Sequence, residues 1–308
     1  MRFASMLAPL AKGLLVLVVA SASLSMPLPV TASDREDTPL RRLLSADEAN
    51  RWEAVGRVDM AGAGFCTGAL ISERHVLTAA HCLFESTTGR AISPSRITFK
   101  AGFRNGRAAA VRKARRVITH SDYVYTHADR LRRVATDIAL IELQAPIRDT
   151  EVIPFQRDRS PKVGDRVMVV SYAKDRENAP SLQERCRMLA EGDRAVMVYS
   201  CDVNYGASGS PIFVVSNQGP KIASVVSAMA VWGDRDVALG ASLGEPLEGL
   251  IHQLEGSTDD PVFRWLSAAD EPTFRQAAKA SMARQSIASQ LGRSSTQTGR
   301  APLPQIEN

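Results

Sequence analysis

The chain has 308 residues, of which 44% are hydrophobic and 23% are charged. This balance is typical of a globular protein with one large domain or two small ones, and it excludes wholesale disorder, collagen-like repeats and many membrane passes. The formal net charge of +5 permits attraction to acidic surfaces, but a diffuse positive excess does not indicate a nucleic-acid-binding protein.

The first 32 residues have the pattern of a secretory signal peptide. Arg2 and Lys12 supply the positive leading region, and residues 13–20 supply the apolar centre. Small residues precede a cleavage site near Ala32 or Ser33, with Ala22 as the alternative. The apolar run is far shorter than the roughly 20 residues that span a bilayer. The mature chain is therefore predicted to be secreted or periplasmic, without an integral membrane span, in an oxidising space where cysteines pair.

Residues 33–52 are polar and charged, which indicates a leader or propeptide rather than part of a core. From residue 53 to 256 the chain instead shows short runs rich in Val, Ile and Leu, broken at close intervals by turn residues. Many short strands without long intervening helices predict an all-β sandwich or barrel. A short helix is predicted over 246–255, because Pro246 lies in its first turn and Gly256 follows its end.

Residues 257–308 differ in composition from the rest of the chain. The stretch 266–292 is rich in Ala, Ser and Gln with apolar residues at loosely helical spacing, and residues 293–308 are rich in Ser, Thr, Gln and Pro. This composition predicts a tail that is partly helical or disordered. A helix at 272–292 that packs on the β domain or on a partner is the alternative.

The first candidate site is the segment from Cys66 to Cys82, which reads as a strand, a turn and a second strand that ends in Thr-Ala-Ala-His-Cys. An antiparallel hairpin brings the two cysteines together, and a disulfide that closes a loop of about 15 residues is worth about 3 kcal/mol in the chain-entropy model. Such a bond also fixes the backbone at His81. Taken alone, a histidine beside a cysteine is equally compatible with a metal site or an inert buried histidine.

Two further segments carry candidate catalytic residues. Asp137 opens an otherwise apolar strand, where a carboxylate is costly to bury unless a hydrogen bond satisfies it; a turn aspartate at the start of a strand is the simpler interpretation. Ser208 lies among small residues in the segment Asn-Tyr-Gly-Ala-Ser-Gly-Ser-Pro, which suits a tight loop that a substrate approaches closely. An ordinary Gly/Ser turn is the alternative here.

Together the three segments give the order His81, Asp137, Ser208, within the motifs TAAHC, DIAL and GxSGSP. With these motifs, residues 54–256 resemble the trypsin/chymotrypsin-like serine peptidases, and specifically their bacterial secreted branch. An α/β-hydrolase would have the order Ser, Asp, His and a Gly-x-Ser-x-Gly turn after a parallel strand. This sequence has neither feature, so that class is excluded.

The resemblance implies an all-β fold of two six-stranded antiparallel barrels, at about 53–155 and 156–256, followed by the short helix and the tail. The active site would lie in the cleft between the barrels. Cys186 and Cys201 flank a predicted hairpin, which places a second disulfide in the second barrel. All four cysteines are then used, and none remains for redox or metal chemistry.

The resemblance also implies a role for each candidate residue. Ser208 is the nucleophile, His81 the general base, and Asp137 orients His81, while the backbone N–H groups of Gly206 and Ser208 face the oxyanion. The expected protein is a monomeric serine endopeptidase that acts on protein or peptide substrates without a metal, an organic cofactor or a nucleic-acid partner. The alternative is a non-catalytic binding or chaperone-like scaffold that keeps the fold; the intact triad favours the enzyme.

Two residues depart from the family pattern. Ala207 stands where digestive members have the Asp that pairs with the new N-terminal amine after zymogen cleavage, so activation by that ion pair is not expected. Val226 lies on the predicted pocket strand, where glutamyl-endopeptidase-like members have a histidine that recognises Glu. Glutamate specificity is therefore disfavoured.

The predicted substrate-binding residues are Asp202, Ser227 and Met229. Asp202 lies six residues before Ser208, where trypsin-type members carry the acid at the base of the pocket, and a buried carboxylate there would hold Arg or Lys at P1. Met229 stands where Arg- and Lys-specific members have a glycine, and a larger side chain would narrow the entrance. The alternative is a small or medium apolar P1 residue, with Asp202 as a turn residue.

Overall fold

The computed structural model describes residues 37–148, 152–158 and 161–255, and the structural statements below refer to these residues. The predicted signal peptide (1–32) and the predicted tail (257–308) lie outside them. The described residues contain three α-helices, α1 (Ala46–Ala49), α2 (Arg130–Ala135) and α3 (Gly244–Glu255). None of these helices has the length and the apolar character needed to cross a membrane.

The strands are β1 (Arg41–Arg42), β2 (Val55–Met60), β3 (Gly64–Leu70), β4 (His75–Thr78), β5 (Ile97–Ala101), β6 (Ala110–Thr119), β7 (Ala139–Leu143), β8 (Arg166–Ser171), β9 (Ser181–Glu191), β10 (Val196–Tyr199), β11 (Pro211–Ser216), β12 (Gly219–Trp232) and β13 (Arg235–Ser242).

Strands β2 to β7 form the first barrel, in the closed order β2-β3-β4-β7-β6-β5, with every neighbouring pair antiparallel. Its strands alternate as expected for a sheet with one face in a core; Ile97 and Phe99 of β5, for example, are fully buried. Strand β7 is buried throughout, including Glu142, whose carboxylate pairs with Arg115 and Arg116. These guanidinium groups offset the cost of burying the charge.

Strands β8 to β13 form the second barrel. Neighbours follow the order β9-β10-β13-β12-β11-β8, and because β8 also pairs with β9, six antiparallel strands close on themselves. Helix α3 follows, and it buries Leu247, Leu250 and Leu254, which share one face at helical spacing. The predicted all-β fold with two six-stranded barrels and a short C-terminal helix is confirmed.

The N-terminal strap, defined here as residues 37–52, differs from the sequence-based expectation of a leader outside the core. Strand β1 pairs with the outer edge of β9, and Leu43 is fully buried. Trp52 packs against Phe213 of the second barrel with ring centroids 5.3 Å apart. Two large apolar side chains among polar neighbours do not change the average composition, yet they attach the segment to the core. Cleavage within residues 33–52 stays a prediction.

The structure joins the cysteines in the expected pairs. Cys66 in β3 is bonded to Cys82 after β4, with Cα atoms 6.2 Å apart. Cys186 in β9 is bonded to Cys201 after β10, with Cα atoms 5.0 Å apart. A predicted site residue is the direct neighbour of one cysteine in each bond: His81 precedes Cys82, and Asp202 follows Cys201. Each bond therefore fixes the backbone next to a candidate site residue.

Removal of the first disulfide, by Cys66→Ala together with Cys82→Ala, is expected to lower the free energy of unfolding by about 3 kcal/mol. The bond spans 16 positions of sequence, and without it the unfolded chain regains the entropy of that loop. Urea denaturation of the double variant and the wild type measures the difference. Unchanged stability, or peptide mapping of non-reduced exported protein that finds other pairs or free thiols, would contradict the assignment.

Candidate active site

His81 and Asp137 meet because β4 and β7 are antiparallel neighbours. Thr78, the last residue of β4, pairs with Ala139, the first residue of β7. The chain that leaves β4 and the chain that enters β7 therefore lie at the same end of the first barrel. His81 lies in a short 3-10 turn directly after β4, and Asp137 lies between α2 and β7.

The carboxylate of Asp137 is buried and accepts three hydrogen bonds. The backbone N–H of His81 donates to Oδ1 at 2.8 Å, and His81 Nδ1 lies 2.6 Å from Oδ2. Ser227 Oγ donates to Oδ2 at 2.5 Å. The side chain of Asp137 is only 3% exposed, so these bonds replace the water that the charge would otherwise need. They also fix the imidazole ring with Nδ1 towards the carboxylate.

The pKa of the His81 imidazole is raised above its usual value. Burial alone would lower this pKa, and the charge of Arg133 acts in the same direction. The charge of Asp137 and the hydrogen bond to it favour the protonated ring and outweigh both. The pair thus stabilises the imidazolium that forms when His81 takes up a proton.

This shift predicts the acid limb of the pH–rate profile. Only neutral His81 can accept a proton, so kcat/KM should fall as the pH drops through the raised pKa, which lies above the usual 6.5. At higher pH His81 stays neutral and this limb is flat. A pH series of kcat/KM with a neutral peptide substrate measures it. Full activity retained down to about pH 5, below the range in which histidine titrates, would contradict the assignment of His81 as base.

The nucleophile loop, residues 200–210, presses against the first barrel. The backbone N–H of Thr67 in β3 donates to the carbonyl of Ser208 at 2.9 Å. A Cβ atom at Gly209 would lie 2.2 Å from both the Thr67 carbonyl oxygen and Thr78 Oγ1, and its φ of +78° is a conformation that favours glycine. The loop can therefore approach β3 and β4 only because residue 209 is a glycine.

This contact places Ser208 against β3, in which Cys66 is bonded to the neighbour of His81. Thr67 follows Cys66, whose disulfide partner Cys82 is the neighbour of His81. Among the described residues, Ser208 Oγ has no hydrogen-bond partner within 3.5 Å, so the bond between the expected nucleophile and the expected base is not formed in this structure. Such bonds are often long in the absence of substrate and shorten when the reaction complex forms.

The backbone of the nucleophile loop leaves two N–H donors free. The N–H of Ala207 donates to the Asn204 carbonyl at 2.8 Å, whereas within the described chain the N–H groups of Gly206 and Ser208 have no acceptor. Gly206 has a φ of +92°, and a Cβ there would lie 2.5 Å from the Phe65 ring. Unpaired backbone donors of this kind are one requirement of an oxyanion site.

The predicted substrate-binding residues divide into two groups. Ser227 is buried and serves Asp137, as described above, and Met229 is half-buried in β12. Asp202 is exposed, and its backbone N–H donates to Gln183 Oε1 at 2.7 Å. Its charge acts on Arg176, where burial lowers the pKa of the guanidinium and Asp202 opposes that shift. The structure thus differs from the expectation of a buried carboxylate at the base of a pocket.

The metal alternative for the Cys66–Cys82 segment does not fit the chemistry of its atoms. Cys66, His81 and Cys82 offer ligand atoms within 4.8 Å of one another. Both sulfur atoms are however consumed in the disulfide, and a cysteine binds zinc as a free thiolate. These three residues therefore cannot form a cysteine-based metal site while the bond is intact.

Sequence reasoning missed the partners that hold the site together. The sequence predicts that Ser227 binds substrate. In the structure its hydroxyl donates to Asp137, 90 positions earlier in the chain. Thr67 was not singled out, although its hydroxyl donates to the Gly206 carbonyl at 3.0 Å and its backbone holds Ser208. No feature of the sequence around Gln183 indicates its hydrogen bonds to distant segments. Each contact joins segments distant in sequence, and no local pattern encodes it.

Comparison with known proteins assigns the class. Residues 66–219, half of the chain, match the model of the trypsin-like peptidase domain. The chain belongs to the trypsin-like peptidase family. Its resemblance to the bacterial branch stays a prediction.

Among curated proteins, the chain is 28% identical over 156 residues to "Trypsin Blo t 3" of Blomia tropicalis, which covers 48% of this chain and 53% of the relative. It is 25% identical over 261 residues to "Serine protease 56" of Homo sapiens, covering 75% of this chain and 40% of the relative. It is 28% identical over 165 residues to "Serine protease 23" of Bos taurus, covering 48% and 43%. The chain thus spans about half the length of the curated relatives it matches, or less.

Two solved structures show the same fold. A Glu endopeptidase in complex with MPD superimposes with a TM-score of 0.58 at 17% identity, covering 72% of this chain and 98% of the other. The thermostable serine protease AL20 from an extremophilic microorganism gives a TM-score of 0.54 at 16% identity, covering 67% and 98%. At these identities the likeness concerns the fold alone.

Proposed function

We propose that this protein is a serine-type endopeptidase that hydrolyses peptide bonds through an acyl-enzyme intermediate. The observation that carries the proposal is the buried carboxylate of Asp137, which holds His81 by two hydrogen bonds in a chain of the trypsin-like peptidase family. The nucleophile loop lies against the same end of the first barrel. These are the parts that nucleophilic acyl transfer requires.

In the first half of the reaction, Ser208 Oγ attacks the scissile carbonyl carbon while His81 Nε2 takes the hydroxyl proton. Asp137 keeps Nδ1 protonated and stabilises the imidazolium. The N–H groups of Gly206 and Ser208 donate to the oxyanion as the C–O bond gains single-bond character. His81 then gives its proton to the leaving amine, the C–N bond breaks, and the acyl group stays on Ser208.

In the second half, a water molecule replaces the amine. His81 accepts a proton from this water as its oxygen attacks the acyl carbon, and the same two N–H groups stabilise the second oxyanion. Collapse of this intermediate returns the proton to Ser208 Oγ and releases the new carboxylic acid. Every proton is thus held by Ser208, His81, water or product, and the chain's own residues account for each step.

A non-catalytic binding or chaperone-like scaffold is the competing function. Such a protein needs the two barrels but has no need for a triad. The orientation of His81 by Asp137 and the free N–H donors of Gly206 and Ser208 are features that peptide hydrolysis uses and that a binding scaffold does not require. They favour the enzyme.

Export to the periplasm or the extracellular space is part of the proposal. The two disulfides support it, because such bonds form and persist in oxidising compartments and are rare in the cytosol of most organisms. The signal-peptide pattern of residues 1–32 agrees with this location. N-terminal sequencing of protein recovered outside the cytosol tests the cleavage near Ala32.

For the P1 side chain, the exposure of Asp202 favours a small or medium apolar residue over Arg or Lys. A carboxylate selects a buried cation strongly only when both are desolvated. Asp202 is instead open to solvent, and its negative charge interacts with the guanidinium of Arg176. The half-buried Met229 on β12 adds apolar surface on the predicted pocket strand.

A P1-varied library of fluorogenic peptides tests the activity and its specificity together. Wild-type protein is expected to cleave peptides with Ala, Val or Leu at P1 faster than those with Arg or Lys, and Ser208→Ala is expected to cleave none. Asp202→Asn should change kcat/KM for any P1 residue by less than about fivefold, because an exposed charge contributes about 1 kcal/mol at most. A preference for Arg or Lys that disappears in Asp202→Asn would show instead that Asp202 binds a basic P1 side chain. No cleavage of any peptide would favour the scaffold.

A further inference from the structure

Gln183 connects the N-terminal strap to the nucleophile loop. Its side chain is buried, with 4% exposure, and both ends of the amide are used. Nε2 donates to the carbonyl of Thr38 at 2.9 Å, and Oε1 accepts from the N–H of Asp202 at 2.7 Å. A buried amide that donates in one direction and accepts in the other ties the two segments into one hydrogen-bonded unit.

Asp202 is the last residue of the nucleophile loop that β9 holds. The loop leaves β10 attached to β9 at three successive residues: Ser200 exchanges backbone and side-chain hydrogen bonds with Arg187, Cys201 is disulfide-bonded, and Asp202 binds Gln183. Only three residues separate Asp202 from Gly206. The Gln183 contact therefore fixes the point from which the chain turns towards the oxyanion donors.

At the strap end of this unit, Thr38 is held against β9 by two hydrogen bonds to Arg185. Thr38 donates its N–H to the carbonyl of Arg185 at 2.9 Å, and the N–H of Arg185 donates to Thr38 Oγ1 at 2.9 Å. These bonds hold the Thr38 carbonyl against β9, where Gln183 reaches it. Beyond Asp202 the loop is held by other segments: the N–H of Lys174 donates to the Tyr205 carbonyl at 2.7 Å, and Thr67 binds the carbonyls of Gly206 and Ser208. The Gln183 contact is thus the one through which the strap acts on the loop.

We propose that Gln183 is a positioning residue through which residues 37–40 hold the nucleophile loop in its catalytic conformation, so that trimming of the chain past Thr38 lowers the catalytic rate. The proposal rests on the proposed peptidase function and names a regulation of that site. Cleavage before Asp37 leaves the unit intact, whereas cleavage just after Leu40 removes the carbonyl that Gln183 binds. The buried parts of the strap, Leu43 and Trp52, stay in place in both cases.

The expected effect is on kcat more than on KM. Gly206 and Ser208 bind the oxyanion in the transition state rather than the substrate carbonyl in the ground state, and small displacements of such donors are costly. A chain that begins at Arg41 is compared with one that begins at Ser33. The shorter chain should lose about tenfold in kcat, with KM changed by less than about twofold and the melting temperature of the barrels retained.

Substitutions separate the two hydrogen bonds of Gln183. Gln183→Glu keeps the side-chain volume and can still accept from Asp202, but it cannot donate to Thr38; it should lose activity like the trimmed chain. Combining it with the trimmed chain should cause no further loss, because both changes break the same bond. Gln218→Glu, on the exposed β11–β12 hairpin, is the matched control and should behave as wild type. A combined variant whose loss of kcat is the product of the two single losses would overturn the proposal. So would a trimmed chain whose kcat stays within twofold of the wild type.

Hydrogen exchange provides a readout that does not depend on catalysis. In Ser208→Ala protein, trimming to Arg41 or Gln183→Glu should accelerate amide exchange in residues 201–207 by at least about fivefold, since one of the contacts that place this segment is lost. Unchanged exchange there would overturn the proposed coupling even if the wild type is active. Faster exchange in these variants, together with a wild-type protein that cleaves no peptide, would support the coupling and count against the peptidase function instead.

Discussion

Ser208→Ala is expected to lower kcat for peptide hydrolysis by on the order of 10⁶-fold, the scale seen when a triad member is removed from a serine peptidase. The variant should fold and melt like the wild type. Its side chain is half-buried, and Oγ makes no hydrogen bond to another described residue that would be lost. The carbonyl that Thr67 binds is backbone and stays.

His81→Ala should cost about as much, and the double variant no more than either alone, because base and nucleophile act as one unit. Burst kinetics with an activated ester, together with steady-state hydrolysis of a peptide amide, measure both variants. Glu245→Ala, at the exposed start of α3, is a control that should leave kcat unchanged. Residual activity above a few per cent in Ser208→Ala would remove the proposed nucleophile.

The second large effect is expected for Asp137→Asn, which should lower kcat by on the order of 10⁴-fold. An amide at this position keeps the volume of the side chain, but its NH₂ group can face His81 Nδ1 only if that nitrogen is an acceptor. The imidazole then carries its proton on Nε2, which is the wrong tautomer for a base. The backbone N–H of His81 still needs an acceptor 2.8 Å away, which orients the amide oxygen towards it.

The same variant gives a second, independent readout. Without the charge of Asp137, the effect that raises the pKa of His81 is lost, and burial together with Arg133 pulls this pKa below its usual value. The acid limb of the remaining activity should therefore move to lower pH. Loss of less than tenfold in kcat, or an acid limb that does not move, would contradict the role of Asp137.

The strand pattern of the sequence was enough to predict an all-β fold, and the resemblance to the trypsin/chymotrypsin-like peptidases implied the two barrels. Short strands with alternating burial, such as β5, follow from a period of two in the apolar residues, and the motifs around His81, Asp137 and Ser208 add the order of the parts. The Cys66–Cys82 pair was accessible for the same reason, because both cysteines lie in one hairpin and their proximity depends on local geometry alone.

The parts that could not be predicted depend on contacts between distant segments. The strap has the composition of a leader because its few large apolar residues lie in a mostly polar and charged stretch. Only the position of Phe213 shows what Trp52 packs against. The role of Ser227 depends on the approach of β12 to Asp137. The exposure of Asp202 depends on the path of a loop held by Gln183. No spacing in the sequence encodes any of these distances.

The most direct test of the catalytic assignment is covalent labelling with a fluorophosphonate followed by peptide mapping. The reagent phosphonylates a serine only when a neighbouring base takes its proton and backbone donors stabilise the developing negative charge. Wild-type protein is expected to gain one label, mapped to Ser208, while Ser208→Ala and His81→Ala stay unlabelled in the folded state. Folded wild-type protein that labels no better than Ser208→Ala, or a label found on another serine, would contradict it.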